Sequence, residues 1–388
     1  MTSSKPILRN RNEHDEKVSY IELFFDLIYV FSVTQLSHYL LKNLTLEGIL
    51  ETLVLWFAVY IAWDYTSWFT NFFNPESIKI RTVLFILMFL GVIMASSIPE
   101  SFSYRGFVFA LSYILMQIGR SLYIVWKLGK RHHLTPTFYR ILFWLSITSI
   151  FWIKESLSSK NERLILWAIA ILSEYFAPMI SFWVPGLGKA KKEDWNISGA
   201  HMAERCQLFV IVALGESILL TGATLSKLAT WDFLSITSYL IVFIANICMW
   251  WLYFDKSSHA ANHIIQQARH PAKVAVGLHN THIILIFGII VSAVSAKLIM
   301  SQPLDQVTIP YLFPLIGGTL IYILGNTFYK KIIYGNFPLS HLIGISLFLL
   351  FIPFSFSLSL IEAGEISLGI LLLTATWESL SRRNLFFI

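Results

Sequence analysis

The chain has 388 residues, of which 56% are hydrophobic and 13% charged, and its formal net charge is +6. A soluble domain carries about 25% charged residues, so this composition excludes an ordinary soluble protein. The basic residues lie scattered between apolar stretches of about 20 residues, which argues against nucleic acid as a partner and for the lipid bilayer. The chain is therefore predicted to be an all-α integral membrane protein.

The apolar stretches predict about twelve transmembrane helices after a cytoplasmic N-terminal segment, residues 1–18. In chain order they cover residues 19–41, 49–73, 78–98, 106–128, 138–154, 162–183, 201–222, 232–254, 273–299, 310–329, 339–361 and 366–381. The fifth and twelfth are the shortest. Twenty Lys and Arg residues, Arg9 and Lys330 among them, fall in the termini and every second loop, and seven fall in the other loops. This asymmetry predicts that both termini face the cytoplasm.

The first half carries ionisable side chains inside its predicted helices. Each of them costs at least about 2.5–3.5 kcal/mol in a bilayer unless it is paired or hydrated. Glu22 and Asp26 are four residues apart and share a face of the first helix. Arg120 in the fourth helix requires a carboxylate partner, and the candidates are Asp26, Asp64 and Glu174.

The sixth helix holds Glu174 four residues before Pro178, whose ring removes the backbone hydrogen bond to the Glu174 carbonyl. This pattern predicts either a cation or proton site, or a kinked helix whose glutamate bonds to a neighbouring helix. Residues 184–200 follow as a Gly- and Lys-containing cytoplasmic linker.

The second half repeats this distribution of buried charge. His201 and Glu204 lie near the start of the seventh helix, where they predict either an internal ion pair or a functional face. Glu216 lies about three turns deeper, where a carboxyl group either stays protonated and hydrogen-bonded or takes up and releases protons. His282 opens the ninth helix, and Glu378 is midway along the twelfth.

Asp255, His259 and His263 recur every four residues after the eighth helix, so they share one helical face. Carboxylate and imidazole suit a transition-metal ion. Many solvated helices carry such a face, however, and a solvated polar surface is the favoured interpretation. No metal and no cofactor is assigned.

Corresponding features recur in the same order in both halves, at offsets between 182 and 206 residues. One example is Glu174, midway along the sixth helix, which corresponds to Glu378 in the twelfth. Because each half holds six helices, the pattern predicts two parallel repeats, residues 19–183 and 201–388, related by an axis along the membrane normal.

Two segments of the chain resemble the bacterial low temperature requirement A family. They are ELFFDLIYVFSVTQLSHYL at residues 22–40 and HMAERCQLFVIVALGESIL at residues 201–219, and WWLYFD at residues 250–255 is similar too. The resemblance covers nearly the whole chain. It implies a polytopic protein of the bacterial inner membrane, linked by name to growth in the cold, and it carries no biochemical activity or site residue. A shorter segment, FFDLIYVFSVTQL, resembles the first helix of lysosomal potassium/proton channels.

Three functions stay open at this point. A transporter of a small solute or ion with proton involvement is favoured, because twelve helices, a parallel repeat and buried carboxylates all fit it. The alternatives are a cation or proton channel and a membrane-embedded enzyme or cofactor-binding protein. The enzyme, which is not favoured, predicts a cluster of His201, Glu204, Asp255 and His282. The expected partners are lipid and a small solute or ion, with a homo-oligomer as an alternative to the monomer.

Overall fold

The computed structural model describes residues 7–9, 17–156, 160–191, 194, 197–227, 230–255, 264, 268 and 271–383. Twelve long α-helices make up most of these residues, which confirms the predicted all-α class. In chain order they are α1 (Tyr20–Lys42), α2 (Leu46–Phe72), α3 (Ile78–Ser97), α4 (Gly106–Leu128), α5 (Thr135–Ser156), α6 (Lys160–Met179), α7 (Gly199–Leu225), α8 (Phe233–Phe254), α9 (Pro271–Ser301), α10 (Ile309–Tyr334), α11 (Leu339–Ser355) and α12 (Leu360–Arg383).

Ten of the twelve helices in the described residues are long and apolar enough to cross a bilayer. The other two are α6, which carries charged residues near its start, and α11, which has only 17 residues. A chain with this many apolar helices of bilayer length is a multi-pass membrane protein. The structure thus supports ten of the twelve spans that the sequence predicts.

The start of α12 differs from the prediction. The helix begins at Leu360 rather than at residue 366, it has 24 residues, and α11 is correspondingly shorter. Ser359 and Glu362 form a capping box: the Glu362 carboxylate accepts from the Ser359 backbone N–H at 2.8 Å, and the Ser359 hydroxyl accepts from the Glu362 backbone N–H at 3.4 Å. Hydropathy alone could not locate this boundary, because it is set by a local hydrogen-bond pattern.

The chain divides into two compact units. The first contains residues 1–39 and 46–201, and the second contains residues 40–45 and 202–388. The division falls inside α7, directly after His201, so the polar residues before and after that point belong to different units.

The core of the first unit is aromatic. Trp152 of α5 lies against Tyr113 of α4, with 4.7 Å between ring centroids, and against Trp167 of α6 at 5.0 Å. Phe109 of α4 stacks on Trp167 at 5.4 Å. Such large rings leave little room for water, so polar groups among them must bond to one another.

In the second unit α9 and α10 approach each other closely at glycines. A Cβ atom on Gly288 of α9 would lie 2.3 Å from the backbone nitrogen of Tyr322. A Cβ atom on Gly325 of α10 would lie 2.5 Å from the backbone nitrogen of Leu285. Neither position accepts a larger residue without a shift of the backbone, so these two glycines fix how close the helices lie.

Candidate functional site

A buried polar cluster joins Glu22 to His201 in the first unit. The Glu22 side chain is fully buried. Its Oε2 accepts from the Ser19 backbone N–H at 2.9 Å and forms an ion pair with Arg9 Nη2 at 3.1 Å. Its Oε1 lies 2.9 Å from His201 Nε2. The carboxylate is therefore held inside the protein by groups far apart in the sequence.

Asn71 fixes the role of His201 Nδ1. Asn71 Oδ1 accepts from the Ser198 backbone N–H at 3.0 Å, and Asn71 Nδ2 donates to the Ser198 carbonyl at 2.9 Å. The amide orientation is thereby fixed, and Nδ2 lies 3.1 Å from His201 Nδ1. Because Nδ2 can only donate, Nδ1 must accept. Nε2 lies between the acceptor Glu22 Oε1 at 2.9 Å and the donor Arg9 Nη2 at 3.1 Å.

A second cluster in the first unit surrounds the buried side chain of Arg120. Its Nη1 donates to Thr66 Oγ1 at 3.0 Å, and its Nη2 donates to Gln117 Oε1. The guanidinium carbon lies 5.4 Å from the centroid of the Tyr65 ring. These partners are neutral, so the predicted direct pairing of Arg120 with a carboxylate is not found among the residues that the structure describes.

Hydrogen bonds connect Arg120 to Glu174 through two side chains of α4. Gln117 Nε2 donates to the Tyr113 oxygen at 3.2 Å, and the Tyr113 hydroxyl donates to Glu174 Oε2. Trp152 Nε1 donates to Glu174 Oε1 at 3.1 Å. Both carboxyl oxygens thus accept a hydrogen bond. These bonds to neighbouring helices agree with the structural interpretation of Glu174.

The two predicted aspartates of the first unit bond to tryptophans of α2. Trp63 Nε1 donates to Asp26 Oδ1 at 3.0 Å, and Trp68 Nε1 donates to Asp64 Oδ1 at 3.1 Å. Asp26 is buried and Asp64 is half-buried. In each case an indole N–H stabilises a carboxylate inside a membrane-spanning helix.

The second unit buries a charged cluster between α10, α11 and α12. Lys330 is fully buried, and its Nζ lies 2.5 Å from Glu378 Oε1. Glu378 Oε2 lies 3.3 Å from His341 Nδ1. His341 Nε2 lies 3.3 Å from Asn326 Oδ1. We call Asn326, Lys330, His341 and Glu378 the α10–α12 cluster.

The α10–α12 cluster corrects one sequence-based assignment. Lys330 was counted with the loop residues, but it lies inside α10 and carries a buried charge. The remaining Lys and Arg residues keep their predicted asymmetry, so the orientation argument stays a prediction.

His282 lies in a separate buried group of the second unit. Its Nδ1 lies 2.6 Å from the Leu278 carbonyl, and its Nε2 lies 2.7 Å from the Tyr253 hydroxyl. A carbonyl only accepts, so Nδ1 carries the proton and Nε2 accepts from Tyr253. Tyr253 in turn stacks on Tyr329, with ring centroids 4.9 Å apart.

The remaining predicted site residues are placed as follows. In α7, Glu216 is buried and Glu204 is half-buried. Asp255 is exposed at the end of α8, and His259 and His263 lie outside the described residues. Across the parts of the chain that the structure describes, no three His, Cys, Asp or Glu side chains are grouped so that they could hold a metal ion.

Sequence reasoning missed several members of these clusters. Arg9 and Lys330 look like segment and loop residues, because both lie outside the predicted spans. Asn71 and His341 are single polar residues near the ends of helices. Hydropathy does not distinguish a functional polar residue there from one that marks a helix boundary. One signal was available: Lys330 lies one residue beyond the predicted end of the tenth span, where a helix one turn longer would bury it.

Comparison with known proteins agrees with the resemblance noted in the sequence. The model of the family described as bacterial low temperature requirement A protein (LtrA) matches residues 17–376. An uncharacterized protein of Rhizobium meliloti (strain 1021) is 34% identical over 386 residues, which is 97% of this chain and 93% of the relative. No solved structure matches. The chain is therefore a member of the bacterial low temperature requirement A family.

Proposed function

We propose that the protein is a transporter of a small solute or ion that uses protons, built from two parallel six-helix repeats, with both termini in the cytoplasm. The observation that carries the proposal is the α10–α12 cluster. A membrane protein that keeps a lysine, a glutamate and a histidine buried together commonly uses them in a substrate or proton pathway.

The cluster has the chemistry that proton coupling requires. Glu378 lies between Lys330 and His341, at 2.5 Å and 3.3 Å respectively. Histidine gains or loses a proton near neutral pH. With His341 protonated, Glu378 faces two positive groups, and with His341 neutral it faces one. Protonation or deprotonation of His341 therefore changes the net charge of the buried cluster. It shifts the population towards the conformation in which that net charge has the lower free energy.

The contacts of Glu174 and Glu378 support the two-repeat part of the proposal. Glu174 of α6 accepts from Tyr113 of α4, and Glu378 of α12 bonds to Lys330 of α10. In each unit the glutamate of the last helix therefore meets a side chain of the fourth helix. Glu216, buried in α7, is a second candidate for proton uptake in the second unit.

A cation or proton channel is the second candidate function. The hydrogen-bonded series from Arg120 through Gln117 and Tyr113 to Glu174 favours it, because ionisable side chains inside a membrane-spanning unit mark ion pathways. A channel conducts steadily in a planar bilayer under a voltage alone, whereas a proton-coupled transporter requires its second substrate.

The test uses purified protein in liposomes loaded with a pH-sensitive dye. Pulses of sodium, potassium or ammonium chloride, or of mixed amino acids, are added outside, and proton movement is recorded. We expect at least one addition to drive proton flux in the native protein. We expect Glu378→Gln, which keeps the shape of the side chain but cannot release a proton, to reduce the flux at least tenfold per molecule of folded protein, with the folded fraction measured by size-exclusion chromatography before reconstitution.

Glu365→Gln is the matched control, because Glu365 lies on the same helix and is exposed. Its proton flux should equal that of the native protein. Unchanged flux with unchanged pH dependence in Glu378→Gln would refute the proposed role of the α10–α12 cluster.

A further inference from the structure

The second unit contains a cavity of about 40 Å³ among α7, α8, α9, α10 and α12. Six of its lining side chains carry oxygen atoms. They are Ser217, Asn246, Ser292, Ser295, Thr319 and Ser367. A volume of this size holds about three water molecules, or one ion with one or two waters.

Three of the lining oxygens have no hydrogen-bond partner within the described residues. They are Asn246 Oδ1, Ser292 Oγ and Ser367 Oγ, and their side chains are 4%, 7% and 8% exposed. A buried polar atom left without a partner costs about 1–3 kcal/mol, so three such atoms around one cavity indicate a ligand that bonds to them together.

Several helical serines of this chain donate to a carbonyl of their own helix, and the two cavity serines do not. Ser32, Ser121 and Ser346 each donate to the carbonyl one turn earlier in their helix. Ser292 and Ser367 do not, so their hydroxyl groups are free to serve the cavity that they line. In α8, Asn246 Nδ2 donates to the Val242 carbonyl at 3.2 Å, which leaves Oδ1 as the acceptor.

The chemistry of the lining identifies the class of ligand. The lining residues include neither a carboxylate nor a basic side chain, and the rest of the wall is apolar. An anion would require a cationic partner, and calcium or magnesium sites in proteins usually include carboxylates. Neutral oxygens replace the hydration shell of alkali-metal ions. We propose that this cavity binds one monovalent metal cation, such as Na⁺ or K⁺.

Hydrogen bonds join the cavity to the α10–α12 cluster. Met249 lines the cavity, and its carbonyl accepts from the Tyr322 hydroxyl. Asn326 Nδ2 lies 3.3 Å from that hydroxyl, and Asn326 belongs to the cluster. On the other wall Leu315 is part of a π-helical turn of α10, a feature common at functional sites. The role of the cation site rests on the proposed transport function. If the protein is a transporter, the bound ion would be the transported one.

The first experiment measures thermal unfolding of the purified protein in detergent. Sodium, potassium, rubidium and lithium chloride are compared with N-methyl-D-glucamine chloride at equal ionic strength. A cation that binds the folded protein raises the melting temperature in a saturating manner. We expect this for one of the four ions. Equal melting temperatures in all five chlorides would overturn the proposal.

Variants locate the site. We expect Ser292→Ala/Ser367→Ala to weaken the apparent affinity for the stabilising ion at least tenfold. Ser301→Ala is the control, because Ser301 lies on α9 like Ser292 but donates to the Lys297 carbonyl at 2.7 Å. It should leave the affinity unchanged. Unchanged affinity in the double variant, or equal weakening in the control, would contradict the assignment.

Asn246→Asp tests the site even where the alanine variants fail to fold. It keeps the shape of the side chain and adds a negative charge at the cavity wall, so we expect cation affinity to rise at least tenfold. No increase would overturn the proposal. Because binding is measured at equilibrium, a protein that binds the ion but moves no protons in liposomes would refute the transport function and leave the cation site standing.

Discussion

At Lys330 a full positive charge lies inside a membrane-spanning helix. The ammonium group is held 2.5 Å from the Glu378 carboxylate, and the lysine side chain is fully buried. A buried ion pair is weak evidence for stability in itself, because desolvation offsets much of the attraction. Breaking such a pair from one side is costly, however, since the remaining charge stays buried.

We therefore expect Glu378→Gln to lower the free energy of unfolding by about 3–5 kcal/mol. Adding Lys330→Met to this variant removes the charge left behind and should restore most of the loss. The measurement is denaturant-induced unfolding in detergent micelles. The exposed Glu365→Gln should change stability by less than about 0.5 kcal/mol. A double variant as unstable as Glu378→Gln alone would show that the charge is not the cause.

The sequence predicts the burial of individual side chains well, and it predicts their hydrogen-bond partners less well. Glu22, Asp26 and Glu174 were identified because carboxylates stand out in apolar stretches, and all three are buried. The partners of Arg120 could not be predicted, because they depend on how each helix is rotated about its axis. A guanidinium can also be satisfied by neutral groups, as Thr66 and Gln117 show.

Among the elements, the contact of α9 with α10 gives a sharp test. A Cβ at Gly288 meets the Tyr322 backbone at 2.3 Å, whereas a Cβ at Gly369 of α12 meets no atom within 4 Å. We expect Gly288→Ala to destabilise the protein by about 1–3 kcal/mol through overpacking. Gly369→Ala should raise stability by up to about 1 kcal/mol, because alanine favours the helix. The measurement is the thermal unfolding of both variants in the same detergent. Equal changes in melting temperature would contradict the close approach of α9 and α10.

The hydrogen bonds at the start of α8 predict that the stability of the protein depends on pH. Asp232 caps the helix, and its Oδ1 accepts from the Ser235 hydroxyl at 2.5 Å and from the Ser235 backbone N–H at 2.9 Å. These bonds, the side-chain bond first, lower the pKa of Asp232 from its ordinary value of 3.8. Because the folded pKa lies below the unfolded one, the stabilisation is complete well above pH 3.8 and is lost as the pH falls through the folded value.

The measurement is the melting temperature of the native protein and of Asp232→Ala as a function of pH. The difference between them should be constant above about pH 5 and should shrink below the ordinary pKa of aspartate. A difference that stays the same at acidic pH would show that the charge of Asp232 plays no part in the cap.

Helix positions were predictable from hydropathy wherever charged loops separate the apolar stretches. The fourth predicted span, residues 106–128, has the same bounds as α4. The start of α12 was not predictable in this way, because residues 356–359 include no charged residue and the turn depends on the Ser359–Glu362 hydrogen bonds. The start of α6 shows the opposite case. The helix includes charged residues at its start, where the hydropathy of the sequence is low.

For the whole molecule, the unequal distribution of Lys and Arg predicts the orientation in the membrane. Single cysteines at exposed positions, in a background in which Cys206 and Cys248 are replaced by alanine, test it. Ser103 lies between α3 and α4, and Asn336 lies between α10 and α11. A membrane-impermeant thiol reagent added outside intact cells should label Ser103→Cys and leave Asn336→Cys unlabelled. The opposite result would place both termini outside the cytoplasm.

The contact between Glu22 and His201 has a consequence for synthesis. The two residues are 179 positions apart in the chain. At ordinary translation speeds of about 5–20 residues per second, His201 leaves the ribosome roughly 10–40 s after Glu22. Until then the insertion machinery handles a first helix whose glutamate can meet Arg9 but not its imidazole partner. A gene split between α6 and α7 would place the two residues on separate polypeptides, and Glu22 would then meet His201 only when the two fragments associate.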